Sequence, residues 1–117
     1  MIDGKWRLVS GMTDGENILE PDRLKSSLEI VDGRHTVRLG NELLIGTHTL
    51  DVNQSPMTID AFDSAGPFAG QSMLGIFKVE GDEFTVCFAA PGKERPSKFS
   101  TQDGKASILH VWQRQEN

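Results

Sequence analysis

The sequence predicts an all-β fold, about eight antiparallel strands closed as an up-and-down barrel with minimal helix. Three observations predict it. Runs of Val, Ile, Leu, Phe and Thr recur along the chain, separated by short breaks of Gly, Asp, Asn and Pro. Two-residue turns at Asp32-Gly33, Gly40-Asn41 and Gly81-Asp82 set registers that place apolar residues opposite one another. No window of ten or more residues repeats at the 3.6-residue period of a helix. Closure removes the unpaired edges that invite aggregation, and a barrel of this size is filled by side chains or encloses one small ligand.

Gly4 to Ser10 reads as the first strand, with Trp6, Leu8 and Ser10 on one face, and Asp14-Gly15 ends it. Pro21 to Lys25 suits one helical turn, because proline is favoured at the first helical position. Ser27 to Val31, Arg34 to Leu39 and Glu42 to Leu50 form a meander. Its two turns oppose Ile30 to His35, Leu28 to Val37, Leu39 to Glu42, Val37 to Leu44 and His35 to Gly46. One face then carries Leu28, Ile30, His35, Val37, Leu39, Leu44, Gly46, His48 and Leu50. A slip of one residue would send that whole set into water.

Met57 to Phe62 is the fifth strand, with Met57, Ile59 and Ala61 on one face. Ser64 to Gly70 is a loop of small residues holding one aromatic, Phe68. The stretch from Gln71 to Pro96 is a hairpin about Gly81-Asp82. It opposes Val79 to Phe84, Phe77 to Val86 and Gly75 to Phe88 on a core face. Its other face carries Lys78, Glu80 and Thr85, but also Leu74, Ile76 and Cys87. Pro91 to Gly104 is a long connection, and Ala106 to Arg114 closes the chain.

Composition narrows the function classes. A chain of 117 residues forms a single domain, 1–117, with room for a core that needs no staples. No apolar run approaches the roughly 20 residues of a membrane-spanning helix. No basic, then apolar, then small-residue leader is visible at the N-terminus. The net charge of −5 argues against nucleic acid, whose binding rests on neutralising phosphates with Lys and Arg. The single cysteine, Cys87, excludes an internal disulfide and a Cys-based zinc site. Compartment and oligomeric state are left open by these features.

The segments GKWRLVS, TIDAFDSAGPFAG and SMLGIFKVEGDEFTVCFAAPGKERPSKF resemble, in that order, a lipocalin-like domain family abundant in planctomycete bacteria. The resemblance runs over nearly the whole chain and is most specific from Leu74 to Pro96. It implies a calycin-type barrel and carries no assigned reaction. A looser likeness is to the lipocalins proper, in which a Gly-x-Trp motif on the first strand packs under an arginine from the end of the barrel. Gly4, Trp6 and Arg114 match those positions, and the likeness implies that Arg114 stacks on Trp6.

The candidate chemistry is sparse. His35 and His48 fall on one face of adjacent strands, within reach of a common ligand. Paired histidines suit a transition metal, but a catalytic zinc wants three protein ligands and no acid is placed as the third. Glu42 lies at the far end of the hairpin, and His110 joins only if the last strand turns it inward. The pair is therefore read as lining the barrel, with no metal and no cofactor. Cys87 in an apolar strand is inert, and no Gly-x-Ser-x-Gly elbow or phosphate-cradling loop is present. The reading is a non-catalytic barrel that takes a small, largely apolar molecule in its open end. His35, Gly46, His48, Phe68, Phe77 and Phe88 are the candidate contacts. The alternative is an interaction module with a packed, ligand-free barrel, its outward Leu74, Ile76 and Cys87 meeting another surface.

Overall fold

A computed structural model describes residues 2–13, 16–18, 25–101 and 108–115. Nine strands follow in chain order: β1 (Gly4–Thr13), β2 (Glu16–Asn17), β3 (Ser27–Val31), β4 (Arg34–Leu39), β5 (Glu42–Asp51), β6 (Met57–Ala65), β7 (Ser72–Glu80), β8 (Glu83–Phe88) and β9 (Ile108–Arg114). All pair antiparallel with their sequence neighbours, except that β1 passes over the two-residue β2 to join β3. Pairing of β1 with β9 then closes an eight-stranded barrel. No helix occurs among the described residues. The helical turn expected at Pro21–Lys25 lies almost wholly outside them, as do the first two residues of the last expected strand.

The registers follow from the turns. Ile30 pairs with His35, Val37 with Leu44, His35 with Gly46, Phe77 with Val86, and Gly75 with Phe88. Apart from β1, inward positions alternate along the strands, as the pleat dictates. They converge on a core of Trp6, Leu8, Leu28, Ile30, Ile59, Phe77, Phe84, Val86 and Trp112.

Two strands depart from the expected pattern. The register of β1 shifts between Leu8 and Ser10, so one extra residue bulges. Ser10, expected inward with Trp6 and Leu8, is exposed, and Gly11 takes the buried position instead. Beyond the bulge β1 continues to Thr13 and pairs with β2. Likewise β6 runs three residues past Phe62, through Asp63, Ser64 and Ala65.

The two ends of the barrel differ. At one end Arg114 lies over the Trp6 indole, its guanidinium carbon 4.3 Å from the ring centroid. Arg114 Nη1 donates to the Asp3 carbonyl at 2.7 Å, and Trp6 Nε1 donates to the Ile2 carbonyl at 3.0 Å. This end is shut. The other end is bounded by the end of β1, the β4–β5 turn, the β6–β7 loop and the start of β9.

The β8–β9 connection folds back over the outer wall. Phe99 packs on Ile76 and Cys87, and Lys78 Nζ sits 5.1 Å from the Phe99 ring centroid. Arg95 fastens the segment by donating to the Gly75 carbonyl at 2.8 Å and to Asp60 Oδ1 at 2.7 Å. Ile76 and Cys87, expected to face another molecule, are thus buried by the chain itself.

Candidate functional site

The barrel interior is not packed solid. A cavity of about 320 Å3 runs from the open end toward the middle of the barrel. Thr13, Glu42 and Pro67 line it at the open end and are exposed, whereas Ile30, Ile59 and Trp112 line its depth and are buried. Most of its wall is apolar, as expected of inward positions in a barrel of Val, Ile, Leu and Phe.

Of the residues singled out from sequence, Phe68, Phe88, His35 and His48 line this cavity. Phe68 is half-buried on the β6–β7 loop, beside the mouth. His35 lies four residues along β4 from Leu39 at the rim, a rise of about 13 Å. The two histidines therefore sit deep. Phe77 does not line the cavity. It is fully buried edge-on to Phe84, centroids 6.1 Å apart, in the packed part of the core.

Gly46 does not line it either. Its missing side chain suggested a gap for a guest, but the chain itself fills that gap. A register shift between Ile45 and Gly46 brings Asp63 opposite Gly46. A Cβ at position 46 would strike the Phe62 carbonyl oxygen and come within 2.8 Å of Asp63 Cα and 2.9 Å of Asp63 Oδ1. Gly46 is the residue that lets Asp63 in. Gly46→Ala is expected to push β6 outward and cost about 2 kcal/mol, the usual size of core overpacking. Urea unfolding at unchanged slope would measure it, and a neutral result would mean that β6 yields freely.

Asp63 completes a polar cluster that the sequence reading left without an acid. His35 Nε2 lies 2.7 Å from Asp63 Oδ1, and His35 Nδ1 lies 3.1 Å from His48 Nδ1. The two imidazoles stack, centroids 5.3 Å apart and planes 21° apart. Both His35 nitrogens are thereby committed. Burial lowers the pKa of His48, the neighbouring His35 lowers it further, and Asp3 opposes the shift. Asp63 had a signal in the sequence. It continues the period-two series Met57, Ile59, Ala61 by one more inward step.

His110 is turned inward from β9, opposite Val86 on β8 and Gly11 on β1. It is 6% exposed, meets the Trp112 ring edge-on at 5.8 Å, and lines the cavity. Its Nε2 is buried without a hydrogen-bond partner. Burial alone pushes its pKa down to about 4, so the imidazole is uncharged at neutral pH. Among the described residues no three His, Cys, Asp or Glu side chains are grouped as metal ligands.

Cys87 lies on the outer wall, with Sγ directed at the Lys98 and Ser100 carbonyls at 3.5 and 4.0 Å. It does not communicate with the cavity. Compared with known protein families, curated proteins and solved structures, the chain matches none, so what the cavity does is argued from its geometry.

Proposed function

We propose that the barrel is a non-catalytic receptacle for one small, largely apolar molecule, admitted at the end beside Phe68. The cavity is the observation that carries this reading. Its volume of about 320 Å3 falls in the range of small-molecule sites, and it combines an apolar wall with a few convergent polar groups. Shutting one end with the Trp6–Arg114 stack gives the interior a single concave approach. The likeness of Gly4, Trp6 and Arg114 to lipocalin positions and the up-and-down strand order support the same reading. The histidine cluster ends on an imidazole, and no Ser, Thr or Cys joins it among the described residues.

The test is direct. Native mass spectrometry of the purified chain, together with displacement of an environment-sensitive apolar fluorophore, should reveal one bound molecule per barrel. Trp112 lines the cavity and offers an internal fluorescence reporter. Absence of any bound species by all three would remove the receptacle reading.

A second reading, an interaction module, has one observation in its favour. Leu43, Ile45 and Phe62 are 37%, 38% and 44% exposed on the outer face of β5 and β6. Sedimentation that shows concentration-dependent self-association, lost in Phe62→Ser, would support it.

A further inference from the structure

Resting on the receptacle reading, we infer that the cavity selects an apolar molecule bearing an uncharged hydrogen-bond donor, a hydroxyl, directed at His48. Three observations on the cavity's polar groups lead there.

The first is the tautomer order of the cluster. A carboxylate only accepts, so Asp63 Oδ1 requires the proton on His35 Nε2. Only one proton fits in the 3.1 Å contact between the two Nδ1 atoms, and in the neutral pair it sits on His48, because His35 already carries its proton on Nε2. That leaves His48 Nε2 bare. It has no hydrogen bond among the described residues, and His48 lines the cavity. Asp63 and His35 thus act on a guest through His48, as positioning residues.

The second is on the opposite wall. Numbering around the barrel, β9 stands across from β5. From it His110 contributes a second uncharged imidazole, which presents one lone pair and has an unpartnered nitrogen. Each of the two walls thus offers a guest one imidazole nitrogen without a partner.

The third is charge. Among the described residues that line the cavity, the charged ones are Asp63 and Glu42, and neither Lys nor Arg is present. A carboxylate head would enter without a cation to meet it and near two acids. An ammonium head would be desolvated while Asp63 is already engaged by His35. An uncharged donor meets the His48 acceptor without either cost. The volume suits a guest of about ten heavy atoms at roughly 30 Å3 each.

Four probes of matched size decide the matter on the unaltered protein: 1-octanol, its isomer heptyl methyl ether, octanoate and octylammonium, titrated by calorimetry or Trp112 fluorescence at pH 7.5. The alcohol should bind about tenfold tighter than the ether, which has the same atoms but no donor. It should also bind tighter than either ion. His48→Phe, folded by its thermal melt, should bring the alcohol-to-ether ratio near one. An ether as tight as the alcohol, or either ion tighter than it, would overturn the hydroxyl selection while leaving the receptacle standing. If none of the four binds, the receptacle reading itself falls and this inference with it.

Discussion

Trp6→Ala is expected to be the most damaging single substitution in the described core, lowering stability by about 3–5 kcal/mol. Trp6 is 1% exposed, meets Phe84 at a tilt with 5.4 Å between centroids, and carries the Arg114 guanidinium over its ring. Removing the indole opens a cavity at the shut end and orphans the Ile2 carbonyl that its Nε1 satisfies. It also leaves the Arg114 guanidinium, held by the Asp3 carbonyl, without its aromatic platform. Arg114→Ala alone should cost about 1–2 kcal/mol, the size of a partly desolvated cation–π contact. Because the two side chains touch, the double variant should cost less than the sum. Gly4 belongs to the same device. Its φ of +135° is one that residues with side chains rarely adopt, and a Cβ there would stand 2.9 Å from Arg114 Nη1. Urea unfolding of the four proteins of the cycle would show this. A loss below about 1 kcal/mol for Trp6→Ala, well under the usual large-to-small range, would mean that the closure is incidental to the fold.

The barrel was legible because its turns are short and its faces alternate. Asp32-Gly33 and Gly40-Asn41 independently placed His35, Val37 and Leu44 on one side, and the observed registers keep them there. Where the sequence misled, an extra residue had entered the ladder. The bulge beside Ser10 reverses the alternation of β1, and no residue type in Leu8-Val9-Ser10 announces it. The outward Leu74, Ile76 and Cys87 looked like a surface for a partner because the segment that covers Ile76 and Cys87 is an irregular loop without periodicity. Only tertiary structure shows Phe99 returning to them.

The site was half legible for a related reason. His35 and His48 follow from strand pairing alone, being one diagonal step apart. Asp63 sits where Asp is depleted in strands and where Ser64, Ala65 and Gly66 read as a loop, so the sequence ends the strand at Phe62, three residues short of Ala65. The same truncation turned Gly46 into an apparent gap. The glycine and the acid are two halves of one arrangement, and each is uninterpretable without the other. His110 depended on the direction of β9, which the long β8–β9 connection left free in the sequence.

Burial of His110 makes the fold sensitive to acid, and the sign can be worked out. Its pKa is about 4 in the folded chain, against about 6.5 unfolded. Between those values the unfolded chain binds a proton that the folded chain does not. Stability therefore falls as pH drops through that window, by about 1.4 kcal/mol per unit, the loss amounting to about 3 kcal/mol near pH 4. The surroundings of His110 supply no relief. It meets Trp112 of its own strand edge-on and pairs with Gly11 on β1 and Val86 on β8, all uncharged. The acids of the cavity, Asp63 and Glu42, do not contribute to its shift. His48, whose pKa is also lowered, adds a loss of the same sign. Other carboxylates titrate over part of this range, so the measurement is a difference. Urea unfolding of the wild type and of His110→Phe is followed from pH 7.5 to pH 4. The gap between the two should shift by about 3 kcal/mol in favour of the variant as pH falls, because phenylalanine has no proton to take up in the unfolded chain. Parallel curves would show that the imidazole reaches solvent or finds a partner, and that the interior wall at β9 is wetter than its 6% exposure indicates.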